Sequence, residues 1–352
     1  MKKIFIILAI AIALLSCGNT SKNITSKTVT LTGAGATFPL PFYNLAFKNY
    51  SKSEGSLVTY GGIGSGGGIR SLKDKIVDFG ATDAYLSDKK MKAMPFPIIH
   101  IPTCMGAVVV AFNIDGIKEL RLNQEILSSI FLGHITKWND TRIAEMNNGL
   151  KLPELPITVV YRSDGSGTTY VFTNYLTKIS KEWRDNIGSA KSIQWPVGIA
   201  AKGNPGVAGT ISQTKGSIGY IGSEYAFSLN IPTAALANKS GNFIKASLES
   251  ISAAASVEIP ADTRVMLTDS DAKQAYPISC FTWIILYKEQ SYENRTIESA
   301  KASIKLLSWM LDDKAQSLTT KVNYAPLPLK ARAAARELLK KVTFEGRVID
   351  MK

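Results

Sequence analysis

A glycine-rich loop between a strand-like run and a helix-like run limits what this chain can fold into more than any other feature. The loop covers residues 164–169 (DGSGTT), follows the apolar run 157–161 and precedes an amphipathic pattern that begins at Tyr170. Glycines and small hydroxyls at a helix start leave backbone N–H groups unpaired, at the end where the helix dipole favours negative charge. Arg162 stands two residues earlier, and a guanidinium can hold a tetrahedral oxyanion through two parallel hydrogen bonds. The pattern therefore predicts an anion site at this helix start.

Two further loops have the same character. Residues 33–39 (GAGATFP) follow a strand-like run, and Thr37 can cap a helix that its neighbouring prolines help to start. Residues 61–68 (GGIGSGGG) follow the run 57–60 and contain a G-x-G-x-x-G pattern. Asp83 lies at about the distance at which dinucleotide-binding proteins carry an acidic residue, so that alternative stays open. Export to a compartment poor in NAD counts against it.

Asp83 belongs to a fourth segment, residues 78–84 (DFGATDA). An ionised aspartate only accepts hydrogen bonds, whereas monohydrogen phosphate has a proton to donate and sulfate has none near neutral pH. An aspartate in an anion site would therefore discriminate against sulfate. A cap on a helix or turn is the structural alternative for this residue.

The first residues predict export. Lys2 and Lys3 precede an apolar run over residues 4–15, which is too short to span a bilayer. We expect a signal peptide over residues 1–16, a lipid on Cys17 and a polar tether over 17–27, because the residues before the cysteine resemble a bacterial lipobox. A plain secretory signal with an incidental cysteine is the alternative.

Composition sets the size and the class of partner. The 352 residues, 45% of them hydrophobic, suffice for two lobes with separate cores. The formal charge of +13 favours anionic partners or membrane surfaces, and nucleic acid is the other candidate. The basic residues are scattered, however, and those of 330–341 fall on a helical pattern typical of a solvated face, so we expect no nucleic acid. Whether Cys104 and Cys280 pair is left open.

Enzymatic patterns are weak. The two histidines, His100 and His134, lack the spacing of metal ligands, and residues 165–167 do not complete a G-x-S-x-G elbow. We therefore predict no catalytic residues, metal or cofactor, although a triad assembled in space stays open.

Short β-branched runs alternate with helical patterns, which predicts an α/β fold with largely parallel sheets. The predicted strands are 29–31, 57–60, 105–112, 157–161, 217–221 and 282–287. The predicted helices are 42–50, 69–76, 124–132, 206–215, 297–311 and 331–342.

Taken together, four segments in order resemble the periplasmic phosphate-binding protein family, the solute receptors of high-affinity phosphate ABC importers. They are 33–39, 62–68, 78–84 and 162–168, and the likeness continues through 195–196, 202–204, 216–220 and 276–278. The resemblance implies a non-enzymatic receptor for phosphate. A receptor for sulfate, molybdate or a phosphonate, an exported phosphatase on the same scaffold, and a surface adhesin are the rivals.

The resemblance also implies the site residues. The family's phosphate contacts fall on Thr37, Phe38, Ser65, Asp83, Arg162, Ser166, Gly167 and Thr168. Asp164 corresponds to the acid that holds the arginine in place. Two positions depart from the family pattern, since Gly66 lies where relatives often have a second serine and Tyr85 where they often have proline.

The implied architecture is a two-lobed, type II periplasmic-binding-protein fold with the ligand cleft between the lobes. Residues 28–108 and 283–352 would form lobe I, 113–278 lobe II, and 109–112 and 279–282 the two hinge crossovers. The implied partners are inorganic phosphate, the permease subunits of an ABC transporter and the membrane that holds the N-terminal lipid. We expect a monomer in the periplasm or on the outer face of the cell membrane.

Overall fold

The structure is a computed structural model of the chain, and it describes residues 29–293 and 295–350. The predicted signal peptide 1–16, the lipidated Cys17 and the tether 17–27 lie outside these residues.

Regular structure covers most of the described residues. The strands are β1 (Thr30–Gly35), β2 (Leu57–Gly62), β3 (Phe79–Thr82), β4 (Ile98–Phe112), β5 (Arg121–Leu122), β6 (Thr158–Arg162), β7 (Ile199–Ala201), β8 (Ser217–Gly222), β9 (Ala235–Ala237), β10 (Phe243–Ile244), β11 (Ser279–Tyr287), β12 (Thr343–Phe344) and β13 (Arg347–Val348). The helices are α1 (Leu40–Glu54), α2 (Ser65–Lys73), α3 (Asp88–Lys92), α4 (Gln124–Leu132), α5 (Thr141–Met146), α6 (Gly167–Ile179), α7 (Lys181–Asn186), α8 (Gly203–Gln213), α9 (Ser223–Ser228), α10 (Leu248–Ala253), α11 (Ile297–Met310), α12 (Asp313–Gln316) and α13 (Leu329–Leu339), with a 3₁₀ turn at Thr320–Val322.

One mixed sheet of eight strands organises the molecule, in the order β2-β1-β3-β11-β4-β8-β6-β7. β1 is parallel to β2 and β3, and β6 is parallel to β7 and β8. β4 is antiparallel to both of its neighbours, β11 and β8. The predicted α/β class is confirmed, and the parallel strands form two separate groups at opposite ends of the sheet.

The long strand β4 joins the two groups. Its residues 98–107 pair with β11 and its residues 108–112 pair with β8. All of β4 is buried, as expected of an apolar strand covered on both faces. We call β1, β2, β3 and β11 with their helices the first half, and β6, β7 and β8 with theirs the second half. The lobe limits and the hinge segments 109–112 and 279–282 remain predictions.

β4 begins seven residues before the predicted start at Met105. The added part contains Pro102, which has no N–H to donate and normally interrupts a central strand. The pairing with β11 shifts register between Thr282 and Trp283, opposite this proline. The irregularity accommodates Pro102 inside a strand that sequence rules would end.

Cys104 and Cys280 lie on the adjacent strands β4 and β11, and both are buried free thiols. Cys104 is opposite Thr282, and Cys280 is opposite Gly106. Burial raises the pKa of both thiols well above the ordinary value, so they remain protonated. They act as small apolar residues of the strand that joins the halves.

None of the helices in the described part of the chain combines the length and the apolar character needed to cross a bilayer.

Candidate anion-binding site

Four helix starts meet where the two halves of the sheet face each other. α1 follows β1 and α2 follows β2 in the first half, while α6 follows β6 and α8 follows β7 in the second. The loops touch directly, since the Gly66 N–H donates to the Gly165 carbonyl at 2.7 Å and the Asn204 N–H donates to Thr37 Oγ1 at 3.1 Å. Helix starts of this kind present N–H groups and the positive end of the helix dipole to one point. The three loops predicted from the sequence therefore lie together, with a fourth at the start of α8.

Ser65 begins α2 and is fully buried. Its Oγ accepts hydrogen bonds from the Gly167 N–H at 3.1 Å and from the Asp83 N–H at 3.4 Å. A hydroxyl oxygen has two acceptor positions, and both are used here. The hydroxyl hydrogen of Ser65 is consequently the group that remains for a ligand.

The hydroxyl oxygens of Thr37 and Thr168 are also used twice as acceptors, and both accept from Asn204. The Thr37 Oγ1 accepts from both the backbone N–H and the Nδ2 of Asn204, at 3.1 Å each. The Thr168 Oγ1 accepts from Asn204 Nδ2 at 3.2 Å and from Arg162 Nη1 at 3.4 Å. Asn204 is itself fixed, because its Oδ1 accepts from the Gly222 N–H at 3.1 Å. Both threonine hydroxyls are thus left with only a hydrogen to give.

Arg162 ends β6 and is held by Asp164. The guanidinium donates from Nε to Oδ1 at 2.7 Å and from Nη2 to Oδ2 at 2.5 Å. Burial raises the pKa of Asp164, but the hydrogen bond and charge of Arg162 outweigh it, so the pKa lies below the ordinary value. An arginine has five N–H groups, and within the described chain three of them have these acceptors and Thr168. Two guanidinium N–H groups therefore remain for an anion.

Asp83 is a second acidic side chain at the site, and no hydrogen bond joins it to Arg162 in the described chain. It is buried, and its Oδ1 accepts from the Thr282 hydroxyl at 2.9 Å. Burial raises its pKa to about 7, against the lowering influence of the Thr282 hydroxyl, the charges of Arg162 and Lys191, and the Thr168 hydroxyl. Near neutral pH this carboxyl group is therefore poised between accepting and donating a hydrogen bond.

Gly167 allows a close approach between the halves. A Cβ at this position would lie 2.5 Å from Ser65 Oγ and 2.6 Å from Asp83 Oδ2. No real Cβ tolerates such distances to buried atoms, so only glycine lets the start of α6 reach Ser65 and Asp83.

Two predicted contacts are placed differently from the rest. The Ser166 hydroxyl oxygen caps α6 by accepting from the Thr169 N–H at 3.0 Å, and its hydrogen can be donated to an anion. The ring of Phe38 lies in the core against Tyr324, with ring centroids 6.1 Å apart. Phe38 can therefore serve a ligand through its backbone alone.

The two departures from the family pattern have local reasons. A Cβ on Gly66 would lie 3.1 Å from the Gly165 Cα, so a larger residue would press on the opposite loop. Tyr85 packs edge-on against Trp283, with centroids 6.0 Å apart, and Arg264 lies 5.8 Å from its ring centroid. Tyr85 thus fills the space between Trp283 and Arg264.

Three residues with a role in this geometry were missed in the sequence. Asn204 orients Thr37 and Thr168, Tyr220 accepts from the Arg162 backbone N–H at 3.1 Å, and Thr282 fixes Asp83. Only Asn204 carries a sequence signal, because it follows a strand and a glycine as the other site loops do.

This arrangement leaves no room for a dinucleotide at the loop before α2. The α2 loop faces protein, since a Cβ on Gly64 would lie 2.2 Å from Asp164 Oδ2. Asp83 is buried beside Ser65 and Thr282, not exposed to a ribose.

The histidines stand apart from the anion site. His100 is buried, accepts from the Leu86 N–H at 3.1 Å through Nε2, and has its pKa lowered to about 3 by burial. His134 forms an exposed contact of 2.8 Å with Glu182. No group of three or more His, Cys, Asp or Glu residues among 29–293 and 295–350 could hold a metal ion. That the chain uses no metal or cofactor stays a prediction.

Comparison with known proteins gives a consistent family. Residues 21–314 match the model of the PBP superfamily domain. The chain is 40% identical to a phosphate-binding protein PstS of Pasteurella multocida, over 87% of this chain and 88% of that one. It is 37% identical to a phosphate-binding protein PstS of Xylella fastidiosa, over 86% and 83%.

The fold has solved counterparts. A high-affinity periplasmic phosphate-binding protein, PfluDING, solved with bound phosphate, superposes with a TM-score of 0.70 at 21% identity, over 88% of this chain and 93% of that one. The predicted two-lobed binding-protein fold is confirmed by this likeness.

Proposed function

This chain belongs to the phosphate-binding proteins of the PBP superfamily, and from that membership we propose that it binds inorganic phosphate outside the cytoplasm and delivers it to an ABC importer. The observation that carries the proposal is the set of hydroxyl groups whose oxygens are already used as acceptors. Thr37, Ser65 and Thr168 each receive two protein N–H donors, so each hydroxyl can act only as a donor.

Such a site suits a small, fully desolvated oxyanion. Stripping an anion of water is very costly unless each of its oxygens gains hydrogen bonds. The three hydroxyls, the free N–H groups of Arg162 and the start of α6 supply donors from several directions. Their burial excludes the competing water.

Asp83 gives the site its preference among oxyanions. When ionised it accepts a hydrogen bond from the protonated oxygen of monohydrogen phosphate, whereas a sulfate oxygen in the same place would meet a negative oxygen without a proton between them. This favours phosphate over sulfate and molybdate. A phosphonate, which keeps a titratable oxygen, is the harder rival to exclude.

Closure between the halves would complete the site. Thr37, Ser65 and Asp83 come from the first half, and Arg162 and Thr168 from the second. The contacts between Asn204 and Thr37, and between Tyr225 and the Thr37 carbonyl at 2.6 Å, join the halves. A ligand that bonds both sides stabilises this closed form, which a permease could then recognise.

The cellular setting is proposed from the sequence. The signal peptide 1–16 would direct export, and lipid on Cys17 would hold the receptor at a membrane through the tether 17–27. Mass spectrometry of the mature chain tests this: a diacylated or triacylated Cys17 is expected, and a free N-terminus elsewhere would contradict it.

We propose a monomeric receptor with no catalytic role. A phosphatase on this scaffold would need an activated nucleophile or a metal beside the anion, whereas we assign the side chains that face the site to donating hydrogen bonds, holding Arg162 or, for Asp83, accepting from the ligand. Turnover of phosphate monoesters by the purified protein would contradict this assignment.

Calorimetric titration of the purified chain with inorganic phosphate tests the proposal directly. We expect one phosphate per chain, and binding that is weaker by about 2–5 kcal/mol in a variant that lacks Arg162. Absence of any binding by the unmodified protein would reject the function.

A further inference from the structure

Lys191 is a charged residue beside the site to which the family resemblance assigns no role. It lies in the segment between α7 and β7, in the second half of the molecule. Its Nζ donates to the Ala84 carbonyl at 2.8 Å, and Ala84 follows β3 in the first half. The side chain therefore crosses from one half to the other and is partly buried on the way.

Both ends of Lys191 are attached to loops of the anion site. Its own carbonyl accepts from the Ser166 N–H at 2.8 Å, immediately before the start of α6. Its ammonium reaches the residue that follows Asp83, and lies 5.2 Å from the ring centroid of Tyr170 on α6. One residue thus connects the loop that carries Ser166 with the loop that carries Asp83.

The receiving carbonyl is well placed for this purpose. The Ala84 carbonyl also accepts from the Thr82 hydroxyl at 2.7 Å, and the Thr82 Oγ1 accepts from the Ala84 N–H at 3.3 Å. The turn at residues 82–84 is therefore held in shape, and a cation attached to it fixes the direction in which Asp83 points.

We propose that Lys191 is a positioning residue for the anion, which fastens the Asp83 loop to the Ser166 loop only in the closed form. The inference rests on the proposed function, and it names how closure is stabilised at that site. Separation of the halves must break the bond from Lys191 to Ala84, so the bond lowers the free energy of the closed state alone. Its consequence is slower release of phosphate.

The surrounding charges agree with this role. Burial, followed by the repulsion from Lys90, lowers the pKa of Lys191 to about 7, whereas Asp83 raises it. Lys191 in turn lowers the pKa of Asp83. An anion bound beside both groups favours the charged ammonium, so the anion and the bond from Lys191 to Ala84 stabilise each other.

Lys191→Met tests the inference, because methionine keeps an unbranched apolar stem and removes the ammonium. Stopped-flow measurement with inorganic phosphate should show a dissociation rate that is faster by about 10- to 100-fold, the range for loss of a hydrogen bond to a charged group. The association rate should stay within about threefold. Lys191→Arg should recover part of the slow dissociation.

Lys178→Met is the matched control. Lys178 is also partly buried and donates to a carbonyl, that of Thr268 at 2.6 Å, but both of these residues fall within the predicted lobe II, 113–278. Its loss should leave both phosphate rates unchanged.

The possible results separate the two claims. Unchanged dissociation in Lys191→Met, or equal acceleration in Lys191→Met and Lys178→Met, would overturn the proposed role of Lys191 while the phosphate function stands. Faster dissociation that arginine does not reduce would also count against it, because a mere packing defect would give that result. Failure of the unmodified protein to bind phosphate would overturn both the proposed function and the proposed role of Lys191.

Discussion

The two sides of the anion site are built from opposite chemistry. On the donor side, the oxygens of Thr37, Ser65 and Thr168 are saturated by protein N–H groups, and Arg162 is held open by Asp164. On the acceptor side stands Asp83, fixed by Thr282 and with its pKa raised to about 7 by burial. The donor side can recognise charge and size, which phosphate and sulfate share. Only the acceptor side can recognise the proton that distinguishes them.

The difference teaches that affinity and selectivity are separable here. Donors come from both halves of the molecule, so most of the binding energy should arise on closure. The acceptor contributes little to holding an anion and much to choosing one. The following predictions change one side while leaving the other in place.

The largest effect is expected from removing the charge of the donor side. Arg162→Met should weaken phosphate binding by about 2–5 kcal/mol, the cost of truncating one partner of a desolvated charge pair. Because Asp164 would be left unpaired, the variant is best made together with Asp164→Asn. Titration calorimetry with phosphate gives the result. Retention of near-normal affinity in the double variant would show that the guanidinium is not a ligand.

The next effect concerns selectivity alone. Asp83→Asn puts an amide where the carboxyl stood, and an amide can donate as well as accept. Sulfate affinity should rise by about 100-fold or more, since a group that rejected it now donates to it. Phosphate affinity should change much less. The check is the ratio of the two dissociation constants in the variant and the unmodified protein, and an unchanged ratio would contradict the role of Asp83.

A single donor-side hydroxyl should have a smaller effect. Thr37→Val removes the hydroxyl that Asn204 orients, with an expected loss of about 1.5–3 kcal/mol in phosphate binding. Thr177→Val is a suitable control, because the Thr177 hydroxyl bonds only to its own helix, at the Thr173 carbonyl 2.8 Å away. Equal effects of the two substitutions would argue that hydroxyl loss acts through folding.

The smallest effect is expected from pH. The raised pKa of Asp83, about 7, means that the carboxyl is mostly ionised at pH 8 and mostly protonated at pH 6. A protonated carboxyl donates to sulfate, which does not itself titrate in this range, so direct titration should show sulfate binding about tenfold tighter at pH 6 than at pH 8. In Asp83→Asn the sulfate affinity should be flat over this range. A profile that stays flat in the unmodified protein, or that rises with pH, would exclude Asp83 as the titrating group.

The sequence indicated the loops of the site better than the hydrogen bonds that connect them. The strand, glycine loop and helix order at 33–39, 61–68 and 164–169 is local, so it was visible without the fold. α2 nevertheless begins at Ser65, four residues before the predicted start. Glycines are poor helix formers, so the sequence argued against a helix here. In the structure these glycines pack closely against Gly165 and Ala34, where a larger residue would not fit.

The remaining roles depend on contacts between distant residues. The predicted helix 206–215 begins at Gly203 in the structure, and this shift places Asn204 at the site. The bonds from Lys191 to Ala84 and from Thr282 to Asp83 join residues 107 and 199 positions apart, which no local pattern can reveal.

Competition between phosphate and sulfate at pH 8 tests the central claim most directly, because there both sides of the site are in the state described. We predict that sulfate at about a thousandfold excess leaves most of the phosphate bound to the unmodified protein. Displacement of half the phosphate by sulfate at a comparable concentration would contradict the account, since the donor side alone would then be choosing the ligand.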